Sequence, residues 1–198
     1  NAVHWIHKNG RTFDDDGPRY DYKVNRAFAH GNTLGVYQCE SPGMRQLCRA
    51  IQPTNRKEVS ATLSLIRPGP AAAGMKEAYI RRRRGLENVS YLHPRMSEFL
   101  SDTYGVMLYQ EDVMKVAVTL AGYSPGEADS LRRSLSKKAG AIPVDVSRGH
   151  FIEEKAAAAG IPRKTAAAIW QQVSRFASYA YCKAHATVYG RLAWLTAR

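Results

Sequence analysis

At 198 residues and 22.0 kDa, the chain is long enough for one domain with a real core, or one domain with a small satellite. Hydrophobic residues make up 44%, which suits a globular fold, and no apolar run reaches the length of a membrane span. The 29 Lys and Arg against 17 Asp and Glu leave a formal charge of +12, which favours polyanionic partners: nucleic acid, nucleotides or an anionic surface.

Cys39, Cys48 and Cys182 are odd in number and widely spaced. They form neither a disulfide framework nor a thiol metal pattern, and a reducing, cytoplasmic setting fits them. The chain starts without Met and stops at Arg198 without a helix stop signal, so both ends read as cut from something longer. His4 and His7 lack a third metal ligand, and Asp14, Asp15 and Asp16 before Gly17-Pro18 read as a solvated acidic loop.

The first predicted helix covers Tyr22 to Ala29 and stops near Gly31-Asn32. Thr33 to Gln38 reads as a strand or extended segment. Ser41 then caps a helix with Pro42 in its first position and Met44, Leu47, Cys48 and Ile51 as its apolar stripe. Pro53 closes it, and a further helix runs from Arg56 to Ile66. Arg67-Pro68-Gly69-Pro70 demands a rigid non-helical turn. Residues 75–84 are helical and end in Arg81, Arg82, Arg83 and Arg84. Four basic residues suit a helix C-terminus, so a solvated end and a phosphate contact both stay open there.

A long helix is predicted from Leu108 to Ala121, with Tyr109, Val113, Val116 and Leu120 on one face and Gly122 as its stop. Ser124-Pro125-Gly126-Glu127 is a capping box with proline just inside the helix. Ala128, Leu131 and Leu135 form the buried stripe of that helix. Arg132, Arg133, Ser136 and Lys137 fall on the remaining side, with Lys138 on the other flank. Such a helix can present a row of cationic donors to phosphates. Residues 139–149 read as a loop, followed by helices from Gly149 to Ala159, stopped by Gly160, and from Pro162 to about Tyr179, burying Ile169, Val173 and Phe176. The last helix starts near Ala184 and carries His185, Val188, Leu192 and Leu195 at heptad-like spacing. The expected fold class is mainly α, with little β structure.

The chemistry visible in the residues is limited. No aspartates alternate along a strand, no Gly-rich loop leads into Lys-Ser or Lys-Thr, and no serine elbow occurs. Cys182 and His185 are close in sequence but have no third group to orient them. The residues alone imply a basic helical domain that binds phosphates and lacks a metal site of its own.

Six segments, in order, resemble one family. Thr33-Leu34-Gly35-Val36-Tyr37-Gln38-Cys39-Glu40-Ser41-Pro42-Gly43-Met44 is similar to the Thr-x-Gly-Val-Phe-Gln-x-Glu-Ser-x-Gly-Met stretch of the C-family DNA polymerases, the bacterial DNA polymerase III alpha subunits. Arg67-Pro68-Gly69-Pro70 with Gly74-Met75, Tyr91-Leu92-His93-Pro94, and Thr103 to Met114 resemble its next signatures. Ala121 to Lys138 resembles its Ala-Gly-Tyr…Leu-Arg-Arg…Lys-Lys segment, and Phe176 to Ala186 its Phe-x-x-Tyr-x-Phe-x-Lys-x-His-Ala segment. Ser136 and Ser178 stand where the family usually has glycine, and Cys182 where it often has asparagine.

The resemblance implies the helical fingers of a right-hand DNA-directed DNA polymerase acting in bacterial cytoplasmic DNA replication. Residues 1–50 would form the N-terminal junction with the palm side, and 51–198 the helical fingers domain. It implies that Arg132, Arg133, Lys137, Lys183 and His185 bind the incoming deoxynucleotide, with Lys183 and His185 flanking its site. Arg67, Lys138, Arg81, Arg82, Arg83 and Arg84 would be further contacts to DNA or phosphate. The implied partners are primer–template DNA and the nucleotide, with the sliding clamp and other replicase subunits touching the polymerase elsewhere and no membrane. Mg2+ would be held by palm carboxylates upstream and not by this chain, which then has no catalytic residue and is inactive alone. The alternative is a stand-alone basic helical module that binds nucleic acid.

Overall fold

The computed structural model describes residues 21–66, 70–135, 143–177 and 180–198. The first helix, α1 (Tyr22–Ala29), is capped by the Asp21 carboxylate, which accepts from Lys23 N and Val24 N. It ends at Gly31, whose φ of +63° and 2.7 Å clearance between a built Cβ and Arg45 O leave room for glycine alone.

The extended segment expected at Thr33 to Gln38 is a run of turns instead. Val36 N donates to Thr33 O and Cys39 N to Val36 O, while Thr33 Oγ1 donates to Cys39 O at 2.6 Å. Among the described residues no strand pairs with it, and local bonds take up its backbone groups. Beyond it, α2 (Pro42–Ile51) has the expected Ser41 cap and buries the expected Met44, Leu47, Cys48 and Ile51.

Asn55 caps α3 (Arg56–Leu65), a helix buried from Glu58 through Leu65. Three hydroxyls survive in that apolar setting because each donates one turn back: Ser60 to Arg56 O, Thr62 to Glu58 O and Ser64 to Ser60 O. The next helix, α4 (Pro70–Arg83), starts earlier than residue 75, with Pro70 at the first helical position, where its missing N–H costs nothing. Arg67, Lys137 and Lys138 lie outside the described residues, as do His4, His7 and the acidic run at Asp14 to Asp16.

A connector of single turns, including α5 (Ser97–Leu100), leads to α6 (Gln110–Ala121), which Gly122 ends at φ +65°. Then α7 (Pro125–Leu135) carries the full capping box: Ser124 N donates to Glu127 Oε2 at 2.7 Å, and Glu127 N to Ser124 Oγ at 3.3 Å. Residues 144–149, expected as loop, form α8 (Val144–Gly149), with Ser147 N bonded back to Pro143 O. It continues into a π-helical stretch, His150–Ala156, that buries the adjacent Phe151 and Ile152. The remaining helices are α9 (Arg163–Ala177), with Ile169, Val173 and Phe176 buried as expected, and α10 (Lys183–Thr196).

The apolar side chains form two cores. One joins α1–α4, residues 106–109 and α10. The other, with its buried members within residues 96–177, joins α5, α6, α7, the π-helical stretch and α9. The face of α10 corrects the sequence reading. Its buried residues are Ala186, Gly190, Ala193 and Trp194, while Val188 and Leu192 stay 54% and 38% exposed. The reason is the closeness of α3, which admits only small side chains between the two helices. Trp194 closes the end of that contact by stacking on Phe28, with ring centroids 6.3 Å apart.

Among the described residues there is no β-strand, only an isolated parallel bridge between Tyr109 and Tyr181. No described helix is long and apolar enough to cross a membrane. Cys39 and Cys48 are free, buried thiols in the first core.

Candidate nucleotide-binding site

The start of α6 is the hub of the site. Leu108 N and Tyr109 N both donate to one oxygen, Asp112 Oδ2, at 2.9 Å. Asp112 is 2% exposed, and burial pushes its carboxyl up to about 6 despite those two donors and the positive charges of Lys183 and Lys115.

The segment that enters α10 lies against this hub. Gln110 N donates to Tyr181 O at 2.8 Å, and Tyr181 N donates to Leu108 O at 3.2 Å. The Glu111 carboxylate accepts from Lys183 N through both oxygens, at 3.1 and 3.2 Å, and so satisfies a donor in the first turn of α10. Lys183 Nζ sits 5.4 Å from the centre of the Tyr109 ring.

From α7, Arg132 reaches the same place. Its Nη1 donates to Gln110 Oε1 at 3.3 Å, and its Nε donates to Asp129 Oδ1 at 2.9 Å. Arg133 lies 3.5 Å from the other Asp129 oxygen. One carboxylate therefore lines up two guanidinium groups, one at i+3 and one at i+4. Arg132 is 24% exposed in its side chain and Arg133 56%, so the first is seated and the second faces outward.

Arg132 and Lys183 thus both contact the start of α6, the first at Gln110 and the second at Tyr109 and Glu111. His185 does not join them. Two positions from Lys183, His185 points about 200° away around the helix. Its ring lies 5.9 Å from Tyr189, which meets Tyr37 edge-on at 5.6 Å.

Arg81 to Arg84 are occupied within the chain. Arg81 and Arg82 both pair with Glu87 at 2.8 Å. Arg82 also donates to Tyr104 O, and Arg84 to Ala50 O. Arg83 binds the buried Glu58, which also accepts from Tyr104 Oη at 2.7 Å and Thr54 N at 2.7 Å. Burial acts to raise the Glu58 carboxyl, and the Arg83, Thr54 and Tyr104 donors together hold it below the usual range. These arginines tie α4 to α2, α3 and the connector.

Sequence reasoning overlooked Gln110, Glu111, Asp112 and Asp129 as site residues. Asp129 had a legible signal, an acid three and four residues ahead of two arginines. The acids of Gln110-Glu111-Asp112 fall in a first helical turn, where carboxylates suit the dipole.

The family model for the bacterial DNA polymerase III alpha subunit finger domain matches residues 2–159. The chain belongs to this finger-domain family. The match spans α1 through the π-helical stretch and includes Gln110, Asp129, Arg132 and Arg133. The DNA polymerase III subunit alpha of Aquifex aeolicus (strain VF5) is 38% identical over 180 residues, covering 91% of this chain and 15% of that protein. An error-prone DNA polymerase of Symbiobacterium thermophilum is likewise 38% identical over 180 residues, covering 91% of the chain and 16% of that protein. The DNA polymerase III subunit alpha of Staphylococcus epidermidis is 40% identical over 180 residues, covering 90% and 16%. The chain therefore spans about a sixth of the length of the curated relatives it matches.

Among the described residues, no group of three or more His, Cys, Asp or Glu is arranged to hold a metal ion.

Proposed function

We propose that the chain forms the fingers of a DNA-directed DNA polymerase of bacterial replication and grips the triphosphate of the incoming deoxynucleotide. The observation that carries this reading is that Arg132, through Gln110, and Lys183, through Tyr109, both contact the start of α6, with Arg133 next to Arg132 on the shared Asp129. A planar guanidinium holds phosphate oxygens in a defined geometry and offsets charge that develops on the transferring phosphoryl group. Lys183 adds a compact, mobile charge.

Lys137, four residues on from Arg133 in sequence, is a further candidate for the phosphates, and Lys138, Arg67 and the exposed Arg81 and Arg84 are the candidates for the DNA backbone. His185 would serve the nucleotide site from the far side of α10. The palm of the whole polymerase supplies the Mg2+ chemistry, and the residues here bind and orient the phosphates. Alone, the chain is catalytically incomplete. Primer–template DNA is the second partner, and clamp contacts belong to other parts of the polymerase.

The test uses Arg132→Ala and Arg133→Ala in the polymerase polypeptide that carries this chain. Single-nucleotide incorporation and primed-DNA affinity are measured side by side, with folding checked. Loss of a charged hydrogen bond, roughly 1.5–3 kcal/mol, predicts a fall of about tenfold or more in incorporation efficiency with DNA affinity kept. Normal incorporation by both folded variants refutes the grip. An equal fall in DNA affinity reassigns the arginines to the primer–template.

A further inference from the structure

Gln110 is the first residue of α6, and its side chain touches two elements remote in the chain. Nε2 donates to Ala180 O at 3.4 Å, in the segment that leads into α10. Oε1 accepts from Arg132 Nη1 at 3.3 Å, on α7. The partners fix the orientation of the amide: a guanidinium only donates, and a carbonyl only accepts. The backbone of Gln110 is engaged separately, through its N–H on Tyr181 O. The backbone pairing between 108–110 and 181 thus holds the segment in place, which leaves the side chain to aim the arginine.

We propose that Gln110 is a positioning residue for the incoming nucleotide, a bridge that sets the Arg132 guanidinium at the entry to α10 where Lys183 stands. The side chain suits this task because it donates one way and accepts the other. Glutamate would keep the Arg132 contact and lose the bond to Ala180 O. Alanine loses both. The bridge makes one phosphate-gripping unit of three helices, so an error in the placement of α7 or α10 is felt at both cations.

This inference rests on the phosphate-gripping reading of Arg132, and the experiment separates the two. Gln110→Ala, Gln110→Glu, Arg132→Ala and the Gln110→Ala/Arg132→Ala double variant are made in the polymerase polypeptide that carries this chain. Incorporation of dTTP opposite a templating adenine is measured together with primed-DNA affinity and melting temperature. Gln110→Ala is expected to raise the nucleotide KM about fivefold, the loss of roughly one hydrogen bond. DNA affinity and melting temperature stay at the parent values, and Gln110→Glu falls between parent and Gln110→Ala. In the Arg132→Ala background, Gln110→Ala adds nothing. Normal incorporation by Arg132→Ala removes the grip and this proposal with it. An impaired Arg132→Ala beside a normal Gln110→Ala, or a full Gln110→Ala effect in the double variant, overturns the proposal alone. A lowered melting temperature with unchanged KM assigns Gln110 to stability and likewise overturns it.

Discussion

Replacing Gly190 by alanine tests whether the closeness of α3 and α10 governs the first core. A Cβ built on Gly190 lies 2.9 Å from Ser60 Cβ and 3.0 Å from Ser60 Cα, and it also meets Ser60 Oγ. Carbon atoms settle at about 3.5–4.0 Å, so the helices must part by roughly half an ångström or more. The neighbour that has to give is partly backbone, and α3 is buried from Glu58 to Leu65, so it has little space to retreat into. Overpacking of this kind costs about 1–3 kcal/mol. Turning the Ser60 hydroxyl away from Arg56 O adds about 1 kcal/mol. Alanine recovers about 1 kcal/mol over glycine as a helix former. The net expectation is a loss of about 1–3 kcal/mol, which for a chain of this size lowers the melting temperature by roughly 2–4 °C per kcal/mol. Urea unfolding of the 198-residue chain followed by tryptophan fluorescence reads this directly, because Trp194 lies one turn beyond Gly190 in the same core. Ser60→Gly in the same chain should return part of the loss, since it removes the Cβ at 2.9 Å. A Gly190→Ala chain as stable as the parent, or strict additivity with Ser60→Gly, would refute the argument.

Two acids make opposite predictions about pH. Glu58 is held below the usual carboxylate range in the fold, so its contribution is complete above the unfolded value of 4.5 and is lost as pH falls through the folded one. Glu58→Gln should cost about 3 kcal/mol at pH 7, leave Arg83 short of its charge partner, and lose less stability than the parent on acidification; urea midpoints at pH 7 and pH 3.5 check this. Asp112 is raised from 3.8 to about 6, so its contribution is complete below pH 3.8 and is lost as pH rises through about 6. At 1.36 kcal/mol per unit that contribution amounts to about 3 kcal/mol. Both N–H donors use a single Asp112 oxygen, so Asp112→Asn can keep them while discarding the buried charge. That variant should gain on the parent between pH 4 and 7, and a constant stability gap across that range would count against burial as the cause.

The sequence made the local devices legible. The Ser41 cap with Pro42, the capping box of Ser124 and Glu127, and the stripes of α2 and α7 all depend on residues within one or two turns of each other. The face of α10 was misread because hydrophobic periodicity weighs size: Val188, Leu192 and Leu195 are large, whereas Ala186, Gly190 and Ala193 are small. Small residues signal burial only when the partner helix is known, and α3 lies more than a hundred residues earlier. The same limit applies to the candidate site. Arg132 and Arg133 stood out by charge and spacing, but the bridge through Gln110 to Ala180 joins residues that only the folded chain makes neighbours.

The two cores differ in how the chain composes them. The buried members of the second all fall within residues 96–177, with Met75, Tyr91 and Ala180 packed against it from outside, whereas the first takes residues from α1–α4, then 106–109, then α10. The second is therefore largely an inclusion within the first, with the Tyr109–Tyr181 bridge at its end in the chain. During synthesis from the N-terminus, α1–α4 emerge early and must wait with an open apolar surface until α10 follows, while the inner core can form from neighbouring sequence. The helix that carries Lys183 is thus also the last described piece of the outer core, so completing that fold and bringing this cation to the candidate site are the same event.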